Sequence, residues 1–266
     1  TQQTALYRTG IAVGDYTIDH HHLKNPDAPQ IDFVKIKVPS YNIPLGALVP
    51  KAGAGLIVAE KSISVSNIVA GASRLQPVVL GIGQAAGALA ATAVLNNTDP
   101  ANINIRAVQS ALLESNAYLM PFIDVKPHDP SFKVIQKIGA TGILKGTGLS
   151  YKWANQTWFY PELPLSEWDL VNGLKAFYPP FEEIHPSGNL STANYLAKAV
   201  KAVGKKEVKT EEILSYLKEQ NFGGLTAESA LTRRMVAHVL DHFLNPFKVE
   251  IDFSGKTKNA TNNLTN

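Results

Sequence analysis

The run Asp19-His20-His21-His22 gathers four side chains able to exchange a proton or ligate a metal. Imidazole titrates near neutrality, which suits proton transfer beside a reacting centre. A carboxylate with two imidazoles also suits zinc or iron, but adjacent histidines point in different directions and no second cluster completes a site, so no metal is expected. A surface loop is the plain alternative, since histidine is so often half-exposed. Arg8, Tyr16 and His20 also lie close in sequence, as a Tyr/His/Arg polysaccharide lyase would require, yet no repeat or groove signal supports that chemistry.

A second candidate is GIGQAAG, Gly81 to Gly87, which passes the pattern of a dinucleotide-binding turn. Such a turn needs a strand before it, a helix after it, and an acid about 20 residues on at the tip of the next strand. Gln76-Pro77 lies just upstream, and the acid in range, Asp99, sits in a turn. The glycines read better as helix interior that allows close packing on a sheet. The start of the same helix is a stronger site. Ser73 can cap it, Arg74 adds a fixed charge, and unpaired N–H groups at a helix start attract anions and electron-rich carbonyls.

The elements that carry these residues fall into two regions. Before about residue 120 the chain is rich in small and apolar residues; after it come all three tryptophans and amphipathic Lys/Glu segments. The expected division is 1–120, 121–253 and a disordered polar tail from Ser254. In the first region Ile31 to Val38 alternates as a half-buried strand, and Gly55 to Ala59 reads as a buried parallel strand. Ser73 to Leu95 reads as one long buried helix, and residues 103–117 as a second with Ile105, Val108, Ala111 and Leu112 on one face. In the second region Lys133 to Ile138, Ser166 to Phe177, Ser191 to Val203, Thr210 to Gln220 and Thr226 to Leu244 are expected helices.

Other classes are set aside by composition. The formal net charge of +3, with 18% charged residues, leaves no stripe for nucleic acid. The chain has no cysteine, which removes disulfides and thiolate chemistry. No apolar run is read as a membrane span.

Three stretches together resemble the C-terminal half of bacterial FAD-dependent oxidoreductases with a glutathione-reductase-like fold. They are GIAVGDYTIDHHH (Gly10 to His22), YNIPLGALVPK (Tyr41 to Lys51) and GLIVAEKSISVSNIVAGASRLQPVVLGIGQAAGALAA (Gly55 to Ala91). The resemblance covers residues 7 to about 119. It implies that Ala59, Glu60, Lys61, Ser64, Gly71, Ala72, Ser73 and Arg74 surround FAD, and that His21 and His22 serve as proton donor or acceptor. A helix start beside the flavin would stabilise the charge it gains on reduction. The family's Gly-Arg is Glu60-Lys61 here, its Cys is Ser62 and its loop His is Asn67. Its N-terminal Gly-rich phosphate turn has no counterpart, so FAD is expected only with a missing segment of the same protein or a second polypeptide.

Phe122 to Val171 resembles an S-layer-homology repeat. Phe122-x-Asp124-Val125, Gly142-Ile-Leu-x-Gly146 and Phe159-x-Pro161 carry the likeness, and a second copy ends in Leu231-Thr232-Arg233. A middle copy is eroded around Gly188-Asn-Leu-Ser191. The resemblance implies that Arg233 contacts cell-wall polysaccharide in an exported protein, periplasmic or at the cell surface. Against this, Trp153, Trp158 and Trp168 are expected to form core.

The fold expected is therefore α/β, a partial FAD-binding and substrate domain with a fragmentary sheet and a long buried helix, plus a mainly α-helical C-terminal domain. The function expected is redox transfer to flavin on an unknown small molecule; the alternative is a non-catalytic cell-surface or glycan-binding module with a degenerate flavin half.

Overall fold

Alternating small and branched residues at 10–14 build strand β1 (Gly10–Gly14), which pairs antiparallel with β2 (Tyr41–Pro44). This sheet belongs to the first of two compact units in a computed structural model that describes residues 2, 4–19, 27, 36–178, 181 and 183–258. The first unit takes Gln3–Ile123 together with Thr147–Trp158; the second takes Gln2, Asp124–Gly146 and residues from Phe159 on.

In the first unit, α1 (Asn67–Ser73) is capped by Ser66, whose hydroxyl accepts from Val69 N. Helix α2 (Gln76–Leu95) and helix α3 (Ile105–Glu114) follow, the latter capped by Asn104 Oδ1 on Arg106 N at 2.9 Å. One stripe of α2 (Val78, Ile82, Ala85, Leu89) is buried, and the helix packs on β1 and α3. A Cβ placed on Gly81 would already touch the Ala12 side chain at 3.3 Å, so the glycine does allow close approach to the sheet. Buried Gln109 of α3 donates to Arg8 O and Gly10 O, both at 2.9 Å, which fixes the start of β1. A hairpin of β3 (Thr147–Leu149) and β4 (Gln156–Trp158) completes this unit.

The second unit contains α4 (Phe132–Thr141), α5 (Glu167–Phe177), α6 (Ala193–Gly204), α7 (Thr210–Glu219) and α8 (Arg233–Phe243). Three of these begin alike. Ser166, Thr192 and Thr232 cap α5, α6 and α8 through side-chain oxygens that accept from Asp169 N, Tyr195 N and Met235 N. The residues just before the caps form a closed ring of backbone bonds. Leu165 N donates to Leu231 O (3.1 Å), Leu231 N to Ser191 O (2.9 Å), and Ser191 N to Leu165 O (2.7 Å). Ser191 thus occupies one corner of a pseudo-threefold junction.

Leu165 and Leu231 are fully buried apolar corners, and Ser191 stands in the equivalent place. Its hydroxyl is buried with no hydrogen-bond partner. A buried polar group without a partner costs about 1–3 kcal/mol. Ser191→Ala is therefore expected to raise stability by about 1 kcal/mol, seen as a higher urea midpoint at unchanged m-value.

Several expectations are corrected. The long helix breaks at Arg74-Leu75, because Pro77 lacks an N–H and its ring would meet the Ser73 carbonyl; a first-turn position tolerates it. Leu56 to Ala59 is extended but joins no sheet among the described residues; Val58 N donates to Leu48 O at 2.9 Å. Of the strand expected at 31–38, residues 36–38 are irregular and the rest lie outside the described residues. Ala111 is exposed, unlike Ile105, Val108 and Leu112. Helix α8 starts only at Arg233, after its Thr232 cap.

Trp153 and Trp168 are 72% and 56% exposed, so they are not core. The tail is ordered through Lys258 by a turn in which Asp252 Oδ1 accepts from Ser254 N and Lys256 N. Helix α2 is not buried all round: Leu80, Val94 and Leu95 are 74%, 79% and 84% exposed. With a mean hydropathy of 1.9, it is long and apolar enough, by length and composition alone, to cross a bilayer.

Candidate functional site

The residues assigned to a cofactor lie along one path of the first unit, from the extended segment ending at Ala59, through a 3-10 turn (Glu60–Ser62), to the corner between α1 and α2. Ala59 is half-buried, and Glu60, Lys61, Ser64 and Arg74 are exposed. Ser64 N donates to Ala47 O at 2.8 Å, which pins the turn to the body of the unit. Glu60 has φ +57°, a left-handed conformation that suits glycine best. Glycine is what the resembled pattern carries there, so Glu60 keeps the turn at a cost in backbone strain.

Gly71, Ala72 and Ser73 are buried in the last turns of α1, with Ser73 its final residue. A helix start is expected there from the sequence, and this is corrected: the start of the long helix is Gln76, with Leu75 as its cap residue. The positive tip therefore lies beyond Arg74, and Pro77 offers no N–H within it. Gly71 is needed for a different reason. A Cβ at this position would overlap the carbonyl of Asp19, so the chain leaving β1 crosses directly over α1. This crossing brings the end of the Tyr16–Asp19 stretch beside the α1–α2 corner. His20, His21 and His22 lie outside the described residues.

The dinucleotide-like motif is settled by placement. Gly81, Gly83 and Gly87 are in the interior of α2. Asp99 caps a 3-10 turn through Ala101 N (2.8 Å) and holds Gly55 N (2.7 Å), so its carboxylate serves the backbone. Beside it a groove of about 550 Å3 runs between Gly55, Ile57, the C-terminal turns of α2 at Ala90 and Val94, and Asn97 just after it.

Electrostatics in this unit are set by buried groups that sequence reasoning missed. Burial first, and then the charge of Arg8, pulls Arg106 down to about 9; its Nη1 donates to Gln109 Oε1 at 2.8 Å. Arg8 itself is buried, which does not suit the lyase set. Burial pushes the Tyr41 hydroxyl up to about 12, with the Asp15 charge adding to it. These groups have ordinary helical or strand neighbours in sequence, and only the apolar residues around them signal their burial.

In the second unit Arg233 is held from two sides. Its Nε donates to Phe159 O at 2.7 Å, its Nη2 to Lys145 O at 2.5 Å, and its guanidinium lies 4.7 Å from the Phe159 ring centre. Asp124 accepts from Phe159 N (2.9 Å) and Tyr160 N (2.7 Å), bracing the same turn.

Residues 2–112 match the model of a family described as FAD dependent oxidoreductase. No curated protein and no solved structure matches this chain. The match ends with α3 and takes in β1, β2, α1 and α2, which are the elements that build the corner at Gly71 to Arg74. It supports an oxidoreductase-like first unit of the flavin class.

The residues present fit one part of such a cofactor. Lys61 and Ser64 before α1 and Arg74 after it are exposed polar or positive residues. Among the described residues no strand–glycine turn–helix forms a cradle for its diphosphate.

Proposed function

We propose that this chain supplies the flavin-facing half of a two-part FAD-dependent oxidoreductase, and that the diphosphate-binding half comes from residues beyond this sequence or from a second polypeptide. The observation that carries this reading is the outer face of α2. Leu80, Gly83, Gly87, Ala91, Val94 and Leu95 are all exposed on it, and α2 has no charged residue. Apolar surface on this scale marks an interaction site. The extended segment at Leu56 to Ala59 borders the groove beside the same helix, and an extended backbone that joins no sheet among the described residues suits the edge of a larger one.

FAD, when bound, supplies an acceptor for a hydride or an electron pair from a small-molecule substrate. Lys61 and Arg74 would hold positive charge at the corner, and the Ser64 hydroxyl and the backbone from Ala59 to Glu60 would line it. Gly71, Ala72 and Ser73 would position the crossing strand. His21 and His22 would take up or release the substrate's proton. The protein would act outside the cytoplasm, as the S-layer-like second unit suggests.

The test is flavin content. The 266-residue chain alone is expected to retain no FAD, whereas protein purified from its native source should show a flavin absorption band that bleaches on reduction. A colourless native preparation would overturn the reading.

A second reading applies to the second unit. Trp168, exposed in the first turn of α5, is a flat apolar surface of the kind that stacks on sugars. This favours a cell-wall polysaccharide module. Loss of sedimentation with wall polysaccharide in Trp168→Ala would support it, and unchanged sedimentation would remove it.

A further inference from the structure

The face of α8 that meets α4 carries polar groups one turn apart: Arg234, His238 and Asp241. Each has a partner from the α4 side. Arg234 Nη1 donates to Asp129 Oδ1 at 2.6 Å, and Asp129 in turn accepts from Ser131 N at 2.8 Å. His238 Nε2 lies 2.9 Å from Ser131 Oγ. Lys137 Nζ lies 3.5 Å from Asp241 Oδ2.

The central rung differs from the outer two. His238 is 6% exposed, and the edge of the Phe222 ring packs on it at 5.4 Å between centres. Its Nδ1 is buried with no hydrogen-bond partner. A neutral imidazole tolerates this. A protonated one would bury a charged N–H without an acceptor, beside the Arg234 guanidinium. Asp241 Oδ1 is likewise buried without a partner.

We propose that the α4–α8 seam is an acid-opened clasp: protonation of His238 leaves a buried, charged Nδ1–H with no acceptor at its central rung and so loosens the second unit. The groups that face His238 from each packed element support the sign. Its own helix presents Arg234 and Asp241, and the α4 segment presents Asp129, Ser131 and Lys137. The chain after α7 presents the Phe222 ring. Helix α7 adds Tyr216, which stacks on His242 at 4.0 Å, and the buried side of α6 is apolar. Asp129 is already committed to Arg234 and to Ser131 N, so it offers Nδ1 no acceptor.

Burial, and then Arg234, holds His238 below the ordinary histidine value, with Asp129 opposing. Burial raises Asp241 above the ordinary carboxylate value, with Lys137 opposing. Both shifts place more bound protons on the unfolded chain for histidine, and on the folded chain for Asp241. The histidine contribution to stability is present above about pH 6.5 and is lost as pH falls below it. The raised carboxyl acts in the opposite direction at lower pH, so the opening has its steepest part near the histidine range.

The experiment is histidine-resolved NMR titration of the full chain, with amide hydrogen exchange at pH 7 and pH 5, corrected for intrinsic rates. The His238 midpoint should fall below about 6.5. Protection of α4 and α8 amides should fall at least about tenfold more than that of α2. In His238→Gln this extra acid loss should disappear. A midpoint at or above about 6.5, equal loss in α2, or the same acid loss in a folded His238→Gln would overturn the proposal. If that variant does not fold, the wild-type titration and exchange decide.

Discussion

Gly71→Ala should damage the first unit more than any other single added methyl group on α1 or α2. The added Cβ would overlap the Asp19 carbonyl, which is backbone and has no rotamer to escape into. Either α1 shifts outward or the chain leaving β1 lifts away. Overpacking costs about 1–3 kcal/mol where side chains can yield, and a rigid backbone neighbour puts this site at the upper end. Thermal unfolding of the first unit should report the loss.

Gly83→Ala and Gly87→Ala are the controls. A Cβ at either meets nothing within 4 Å, so each should gain about 0.8–1.0 kcal/mol of helix propensity in the isolated chain. The same two substitutions lie on the exposed apolar face of α2, where close approach of a partner would exclude a methyl group. If that face docks the other half of a flavin site, they should stabilise the chain alone and lower the flavin content of the assembled protein. Equal flavin content would leave α2 without that role.

Arg233→Ala should destabilise the second unit by about 2–4 kcal/mol. It removes two hydrogen bonds to backbone carbonyls and the stacking on Phe159, and it leaves the Phe159 carbonyl in a part-buried site. Urea unfolding followed by tryptophan fluorescence measures it directly. Arg233→Lys keeps the charge but not the planar fork, so it should recover less than half of the loss. A fall in wall binding by Arg233→Ala would thus reflect unfolding as readily as a lost sugar contact. The exposed Trp168 is the cleaner probe. A change below about 0.5 kcal/mol would show that the two bonds contribute nothing net.

Much of the architecture was legible because it depends on neighbours in sequence. Asn104 and Ser166 announce α3 and α5, since a side-chain oxygen before an apolar stripe answers free N–H groups locally. Pro77 marks the break locally, but the small and apolar composition of Ser73 to Leu95 runs on across it and signals no interruption. The Leu56 to Ala59 strand was overread for the opposite reason. Its apolar run fits a buried strand, but a strand exists only where another backbone accepts its bonds.

By itself the sequence determined most of the helices, the family-like motifs between Gly10 and Ala91, and the absence of thiol side chains. Each follows from residue type and local spacing. Tertiary structure alone decided that Asp19 crosses Gly71, that Asp99 holds Gly55, that Ser191 joins two leucines in a threefold ring, and that His238 lies buried against Ser131. Those pairs are separated by tens of residues, and neither partner carries a local mark of the other. Their meeting is set by which apolar faces exclude water together, a property of the whole packed chain.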